Sequence, residues 1–358
     1  MHHNKQHLKH KRDMEEQYVL PAEWERQSGI QLTWPHAQTD WHDYLYAITS
    51  TYIHMAHAIT QRELLLIATP YPHDVRSLLE SELTSDEMAN VRIFQAPTND
   101  TWARDHAFIT LTNGNDNMLV DFQFNGWGHK FKASFDNRIN ATLFFQGAFN
   151  GRLANNNEFV LEGGSIESDG KGTIFTTSQC LMAPHRNQPF SQELIEKHLK
   201  QTLHAQRIVW IDHGNLMGDD TDGHIDTIVR CAPNDTLVYV ACDNPSDPQY
   251  DDFQQLRRQL KTLKTLQGHP YRLLPVPMPH AIYDGEDRLP ATYANFVIIN
   301  EAVLCPVYNQ PYNDNIAIST LQKAFPGRDI IPIDATTVIR QHGSLHCLTM
   351  QYPDNVIR

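Results

Sequence analysis

The chain has 358 residues, 41% of them apolar, with a net charge of -13. That is enough for one large or two ordinary domains with a full core, while the charge argues against nucleic acid and favours a cationic ligand. No apolar run approaches the length of a membrane span, and the opening "MHHNKQHLKHKRDMEEQ" is charged and His-rich without an apolar core. A cytoplasmic protein with no membrane partner and a disordered tail over residues 1–18 is expected. Five widely spaced cysteines with no C-x-x-C pair suggest neither a disulfide framework nor a zinc knuckle.

Taken in chain order, the elements repeat. The strand "GIQLTWP" stands first, and two helix-then-strand pairs follow it, "DYLYAITSTYIHMAHAIT" before "ELLLIAT" and "HDVRSLLESEL" before "VRIFQAP". Hairpins come next, "HAFITLTNGNDNMLVDFQF" turning at Asn113-Gly114 and "FVLEGGSIESDGKGTIFTT" turning at Asp169-Gly170. Two later hairpins turn at Pro233-Asn234-Asp235 and near Asn300-Glu301. The helices "SQELIEKHLKQTLHA", "DDFQQLRRQLKTLKTLQ" and "NDNIAISTLQKAF" each precede a strand, "RIVWID", "YRLLPVPMP" and "DIIPID". The unit is hairpin, helix, strand, about five times over. Its last hairpin, "SLHCLTMQYP", lacks a helix and "GIQLTWP" lacks a hairpin, so the two ends are expected to pair and close a ring.

Each hairpin is preceded by polar residues: Asp100, Arg104 and Asp105; Glu162; Asp219, Asp220, Asp222, His224 and Asp226; Asn295; and His346 with Cys347. Equivalent positions of a closed repeat point to one axis, which would bring a thiol, an imidazole and several carboxylates into one acidic funnel. A thiolate is a nucleophile helped by a nearby cation, and paired carboxylates suit a planar guanidinium. Nucleophilic substitution at a guanidinium carbon follows. His224-x-Asp226, read as a strand, would put both side chains on one face and could hold zinc with Cys347 or His346. Cys180, Cys231, Cys242 and Cys305 sit in apolar strands and are expected to be inert, Trp34 is expected in the core, and Trp102 could wall a guanidinium. His346, adjacent to Cys347 on a strand, should point away from it.

Six ordered blocks carry a resemblance: "LPAEWERQSGIQLTWPH", "NDTWARD", "LEGGSIESDGKGTIFTTSQCL", "DDTDGHIDTIVR", "ATYANFVIINEAVLCPVY" and "GSLHCLTMQ". From residue 19 onward the chain resembles the agmatine deiminase and bacterial peptidylarginine deiminase family of guanidine-modifying enzymes. The resemblance implies one catalytic domain over 19–358, an α/β fold built as a five-bladed pseudo-symmetric propeller of ββαβ units (the pentein fold). It implies catalysis by Cys347, His224, Asp226, Asp105 and Glu162, with Asp220 contacting substrate; Trp102, Asn295 and Arg104 join as substrate-binding candidates. The implied reaction is hydrolysis of agmatine to N-carbamoylputrescine and ammonia through a Cys347 thiouronium, in polyamine synthesis, with no metal or organic cofactor and with dimers common. In it the imidazolium of His224, oriented by Glu162, protonates the departing ammonia.

Three blocks depart from the agmatine deiminase pattern. This chain reads "RDHAF", "EGGSIES" and "RQHGSLHC" where R-D-x-G-P, E-G-G-x-I-H and G-G-G-N-I-H-C are expected. A deiminase of free or peptidyl arginine, giving citrulline, is therefore the alternative, with Arg104 or Arg340 meeting the substrate carboxylate or backbone. A metal hydrolase at His224, Asp226 and Cys347 and a non-catalytic polyamine binder are the remaining classes.

Overall fold

The computed structural model describes residues 18–358. The expected tail lies outside the described residues, except that Tyr18 is buried and donates its hydroxyl to Asp116 at 2.8 Å, which moves the boundary by one residue.

Strands β1 (Gln27–Thr33), β2 (Leu64–Thr69) and β3 (Val91–Gln95) lie parallel, joined by helices α1 (Leu45–Thr60) and α2 (Pro72–Glu82). A hairpin of β4 (Ile109–Thr112) and β5 (Asn117–Gln123) follows, turning where Gly114 takes φ +84°. Helix α3 (Ile139–Phe145) then returns the chain as β6 (Arg152–Val160), parallel to β5. The same sequence of pairings recurs three more times. First come β7 (Ile166–Ser168), β8 (Thr173–Thr177), α4 (Gln192–Thr202) and β9 (Arg207–Ile211). Then come β10 (Val229–Ala232), β11 (Thr236–Ala241), α5 (Tyr250–Thr262) and β12 (Arg272–Pro277). After a small ribbon of β13 (Tyr283–Asp284) and β14 (Asp287–Arg288), the unit appears again as β15 (Val297–Ile299), β16 (Ala302–Val307), α6 (Pro311–Ala324) and β17 (Asp329–Asp334). Finally β18 (Thr349–Pro353) pairs antiparallel with β1, so the two ends of the chain share one sheet as expected.

The central strand of each unit is buried on both faces, which explains the unbroken apolar runs of β11 and β16. The third strand lies at a sheet edge, where a missing N–H is tolerated; Pro275 and Pro332 occupy that strand in β12 and β17. Helices cover the sheets with one apolar stripe: α5 buries Phe253, Leu256 and Leu260, spaced three and four apart. Ser191 caps α4 by accepting from the Leu194 N–H.

Three of the units begin with a short helical turn just before their first strand. Asp105 lies on Ala103–His106 before β4, Glu162 precedes Gly163–Ser165 before β7, and Asp226 lies on Ile225–Thr227 before β10. His224 and Asp226 are therefore on a turn and not on a strand, which corrects the one-face argument for H-x-D. The same holds for His346 and Cys347, which precede β18.

Candidate active site

Cys347 is buried, and its place is set by Asn295. One carbonyl oxygen, Asn295 Oδ1, accepts from the His346 N–H at 2.9 Å and the Cys347 N–H at 3.2 Å, and lies 3.4 Å from Cys347 Sγ. Asn295 thus holds the turn that carries the thiol. Asp226 Oδ2 lies 3.8 Å from the same sulfur. It also lies 2.7 Å from His346 Nδ1, so His346 and Cys347 face the same carboxylate. A turn, unlike a strand, does not alternate its side chains between faces, and the expectation that His346 points away is corrected.

Asp105 is fixed by two donors, Trp127 Nε1 at 3.0 Å and the Gly164 N–H at 3.1 Å, and lies 3.7 Å from His224 Nδ1. Gly164 is needed for close approach: a Cβ there would sit 2.6 Å from His224 Nδ1, 2.9 Å from Asp105 Oδ1 and 3.1 Å from Asp226 Oδ2. The imidazole and both carboxylates therefore converge on one backbone position.

A cavity of about 690 Å³, mouth included, opens above Cys347. Its walls include Asp40, Asp100, Asp105 and Asp220, the aromatic rings of Trp102, Trp127 and Phe131, and His342 and Gly343. Trp102 lies across Gly343, where any Cβ would meet its ring at 2.1 Å, and donates Nε1 to Asp100. Trp34 is in the core, edge-on to Tyr52. The wall segment is strained: Gly126, Trp127, Gly128 and His129 all have positive φ, an arrangement that places the Trp127 indole against Asp105.

Burial sets the charge states. It pushes the Asp105 carboxyl well up, reinforced by Asp226 and Glu162. It also opposes ionisation of Asp226, but the hydrogen bond and charge of His346 outweigh it and hold that carboxyl below its ordinary value. Burial pushes the Cys347 thiol up, with Asp226 and Asp105 adding to the effect. His224 is driven down to about 4 by burial, partly countered by Asp226. Burial thus opposes ionisation of both the thiol and the imidazole in the free site. Both His224 ring nitrogens and Glu162 Oε2 lack a hydrogen-bond partner.

Glu162 is fully buried and bonds Arg186 Nε at 2.8 Å. Arg186 reaches on to Asp222 at 2.7 Å and to the Thr221 carbonyl at 2.8 Å, tying Glu162 to the loop that carries Asp220. Arg104 is buried against Glu23 at 3.2 Å and lines a different cavity beside residues 20–27, not the one above Cys347. Arg340 pairs with Asp284 and lies over the Tyr44 ring. Cys180, Cys231, Cys242 and Cys305 are all buried and free, their thiols pushed up by burial.

Two groups have donor atoms within 4.8 Å of one another, the buried Glu162 with Cys180 and His224, and the partly buried Glu23 with the buried Glu167 and His346. The carboxylates of each are already paired with guanidinium groups, Arg186 in the first and Arg230 with Arg104 in the second, which opposes a divalent metal ion. His224, Asp226 and Cys347 do not form such a group among the described residues.

Sequence reasoning missed Arg186, Trp127, Arg230 and Glu23. Arg186 and Trp127 fall between the recognised blocks, Arg230 ends one of them and Glu23 lies inside another, but only their contacts reveal a role. Among the described residues no helix is long and apolar enough to cross a membrane.

The profile of the Porphyromonas-type peptidyl-arginine deiminase family matches residues 19–353. The chain belongs to that family. A Vibrio parahaemolyticus protein provisionally named agmatine deiminase is 32% identical, over 94% of this chain and 97% of its own. A solved Porphyromonas gingivalis structure, provisionally named arginine deiminase, is 45% identical with a TM-score of 0.90, covering 96% of this chain and all of its own. C. jejuni agmatine deiminase, solved with substrate bound as a cysteine-to-serine variant, is 34% identical with a TM-score of 0.87, over 96% and 98% of the two chains. An α/β enzyme acting on a guanidino group is thereby supported.

Proposed function

We propose that the protein is an agmatine deiminase, hydrolysing agmatine to N-carbamoylputrescine and ammonia, and that residues 19–358 form one catalytic unit whose five sheets close as a propeller. The observation that carries the substrate choice is the cavity wall: four aspartates and no lysine or arginine line it among the described residues. Such a wall suits a ligand cationic at both ends and repels an α-carboxylate. The names of the Vibrio and C. jejuni relatives agree with this choice. The arginine reading draws on the name of the Porphyromonas gingivalis relative, but Arg104 and Arg340, its candidate carboxylate partners, are engaged elsewhere.

The mechanism follows from the charge states. Guanidinium enters between Asp105 and Asp226, and the cation draws Asp105 into its ionised form. It also lowers the cost of a thiolate at Cys347, whose proton passes to neutral His224. Sulfur attacks the guanidinium carbon, and the imidazolium formed at His224 protonates the departing nitrogen, releasing ammonia. His224 is neutral again and takes a proton from water, whose oxygen attacks the thiouronium carbon. The carbon–sulfur bond breaks, the imidazolium of His224 returns its proton to the Cys347 sulfur, and the ureido product leaves as its hydroxyl proton passes to solvent. Glu162, anchored by Arg186, lies close enough to favour the imidazolium when it forms. Trp102 and Trp127 wall the alkyl chain, and Asp220 with Asp100 attracts the distal ammonium.

Purified enzyme offered agmatine, arginine and an arginyl peptide decides the substrate. Ammonia from agmatine is expected; release from arginine or the peptide alone would refute the choice. Cys347→Ala should abolish turnover while Cys180→Ala leaves the thiol chemistry intact.

A further inference from the structure

Glu23 and His346 do not line the cavity, yet they stand directly behind Asp226. His346 Nδ1 lies 2.7 Å from Asp226 Oδ2 and its Nε2 lies 2.9 Å from Glu23 Oε1, with the ring fully buried. A neutral imidazole has one N–H and one lone pair, so it satisfies one carboxylate and repels the other. Two carboxylates in place require two N–H groups.

We propose that Glu23 and His346 are positioning residues: an imidazolium clamped between the Glu23 and Asp226 carboxylates keeps Asp226 ionised and aimed at the guanidinium beside Cys347. This rests on the reading of the cavity as a guanidinium site.

The surrounding charges balance. Glu23 also pairs with Arg230 at 2.7 Å and Arg104 at 3.2 Å, and Arg230 pairs with Glu167. Three carboxylates, the partly buried Glu23 and the buried Glu167 and Asp226, thus face Arg104, Arg230 and the proposed imidazolium of His346. The groups facing Asp226 are His346, Cys347 and His224, with Asp105 and Arg230 exerting their charge on it; those facing His346 are Asp226 and Glu23, with Glu167 nearby. Asp105 and Asp226 are both deeply buried and repel one another, but only Asp226 has an imidazole bonded to it. Its carboxyl is held down where that of Asp105 is pushed up. Residues 18–26, which precede β1, therefore deliver a side chain to the buried ring of His346, and through it to a residue two hundred positions away.

The test compares kcat/KM for His346→Asn and Glu23→Gln with wild type as a function of pH, using whichever guanidino compound the wild type turns over. Without the clamp Asp226 takes up a proton, so each variant should lose about tenfold or more near pH 6.5, chiefly in KM, and return to within about threefold near pH 9.5. Glu23→Asp, which keeps the charge, should lose less at every pH. A loss that is constant with pH, or no loss, overturns the proposal. Should the variants fail to fold, NMR of the wild type decides: two hydrogen-bonded ring N–H protons in one buried imidazole support it, and the absence of any such doubly protonated ring refutes it. Failure to use agmatine would change the substrate reading without altering either result.

Discussion

Gly164→Ala is a narrow probe of the site because Gly164 has an ordinary backbone φ, so alanine adds no conformational strain. What it adds is one methyl group 2.6 Å from His224 Nδ1. An ordinary contact begins near 3.4 Å, so the imidazole must retreat by about 0.8 Å, and Asp105 and Asp226 by about 0.5 and 0.3 Å. A misplacement of about 1 Å among reacting groups costs roughly 100-fold in rate, so a fall in kcat of about 30- to 100-fold is expected. The clash falls on the ends of three side chains and not on backbone, so the thermal midpoint should fall less than for a backbone clash. Steady-state kinetics beside circular-dichroism melting measures both quantities. Turnover within threefold of wild type would show that His224, Asp105 and Asp226 do not act together around this backbone position. Gly163→Ala is the control, because its Cβ would strike the Arg104 carbonyl at 2.2 Å and should lower stability instead.

Arg186→Gln removes one partner of a pair that has no solvent exposure, and should destabilise the fold by about 3–5 kcal/mol in urea denaturation; a loss under about 1 kcal/mol would contradict the anchoring role. Glu63 carries a carboxyl that burial pushes up to about 8, with Oε1 lacking a partner. Between about pH 4.5 and 8 the unfolded chain releases this proton while the folded chain keeps it, so stability falls as pH rises. Glu63→Gln should therefore gain in melting temperature over wild type at pH 8 and little at pH 4.5, and an equal change at both would refute the assignment. Because the Asp105 carboxyl is held up and must lose its proton for the guanidinium to dock, while the Cys347 proton passes internally to His224, kcat/KM should climb from pH 6 to 8. A profile that is flat or falling across that range would overturn the proposed charge states.

Much of the architecture was legible because the repeat is local. Apolar runs, the turn at Asn113-Gly114 and the spacing of Phe253, Leu256 and Leu260 report the faces that their own strand or helix must bury. The pairing of β18 with β1 followed from two incomplete units at opposite ends of the chain. The polar residues before each hairpin could be listed, and their convergence rested on that repeat.

Which of those residues act directly was settled by geometry over long separations. Arg104 stands beside Asp105 in sequence and yet turns to Glu23, while His346, expected to face away from Cys347, shares Asp226 with it. Arg186 and Trp127 show no periodicity or spacing that marks them, because their partners Glu162 and Asp105 lie 24 and 22 residues away. The sequence alone determined the order of the units, the candidate nucleophile and the acidic character of its surroundings. The tertiary structure decided which buried carboxyl is pushed up and which is held down, because that depends on desolvation and on the partner within hydrogen-bond reach. His346 beside Asp226 makes that difference.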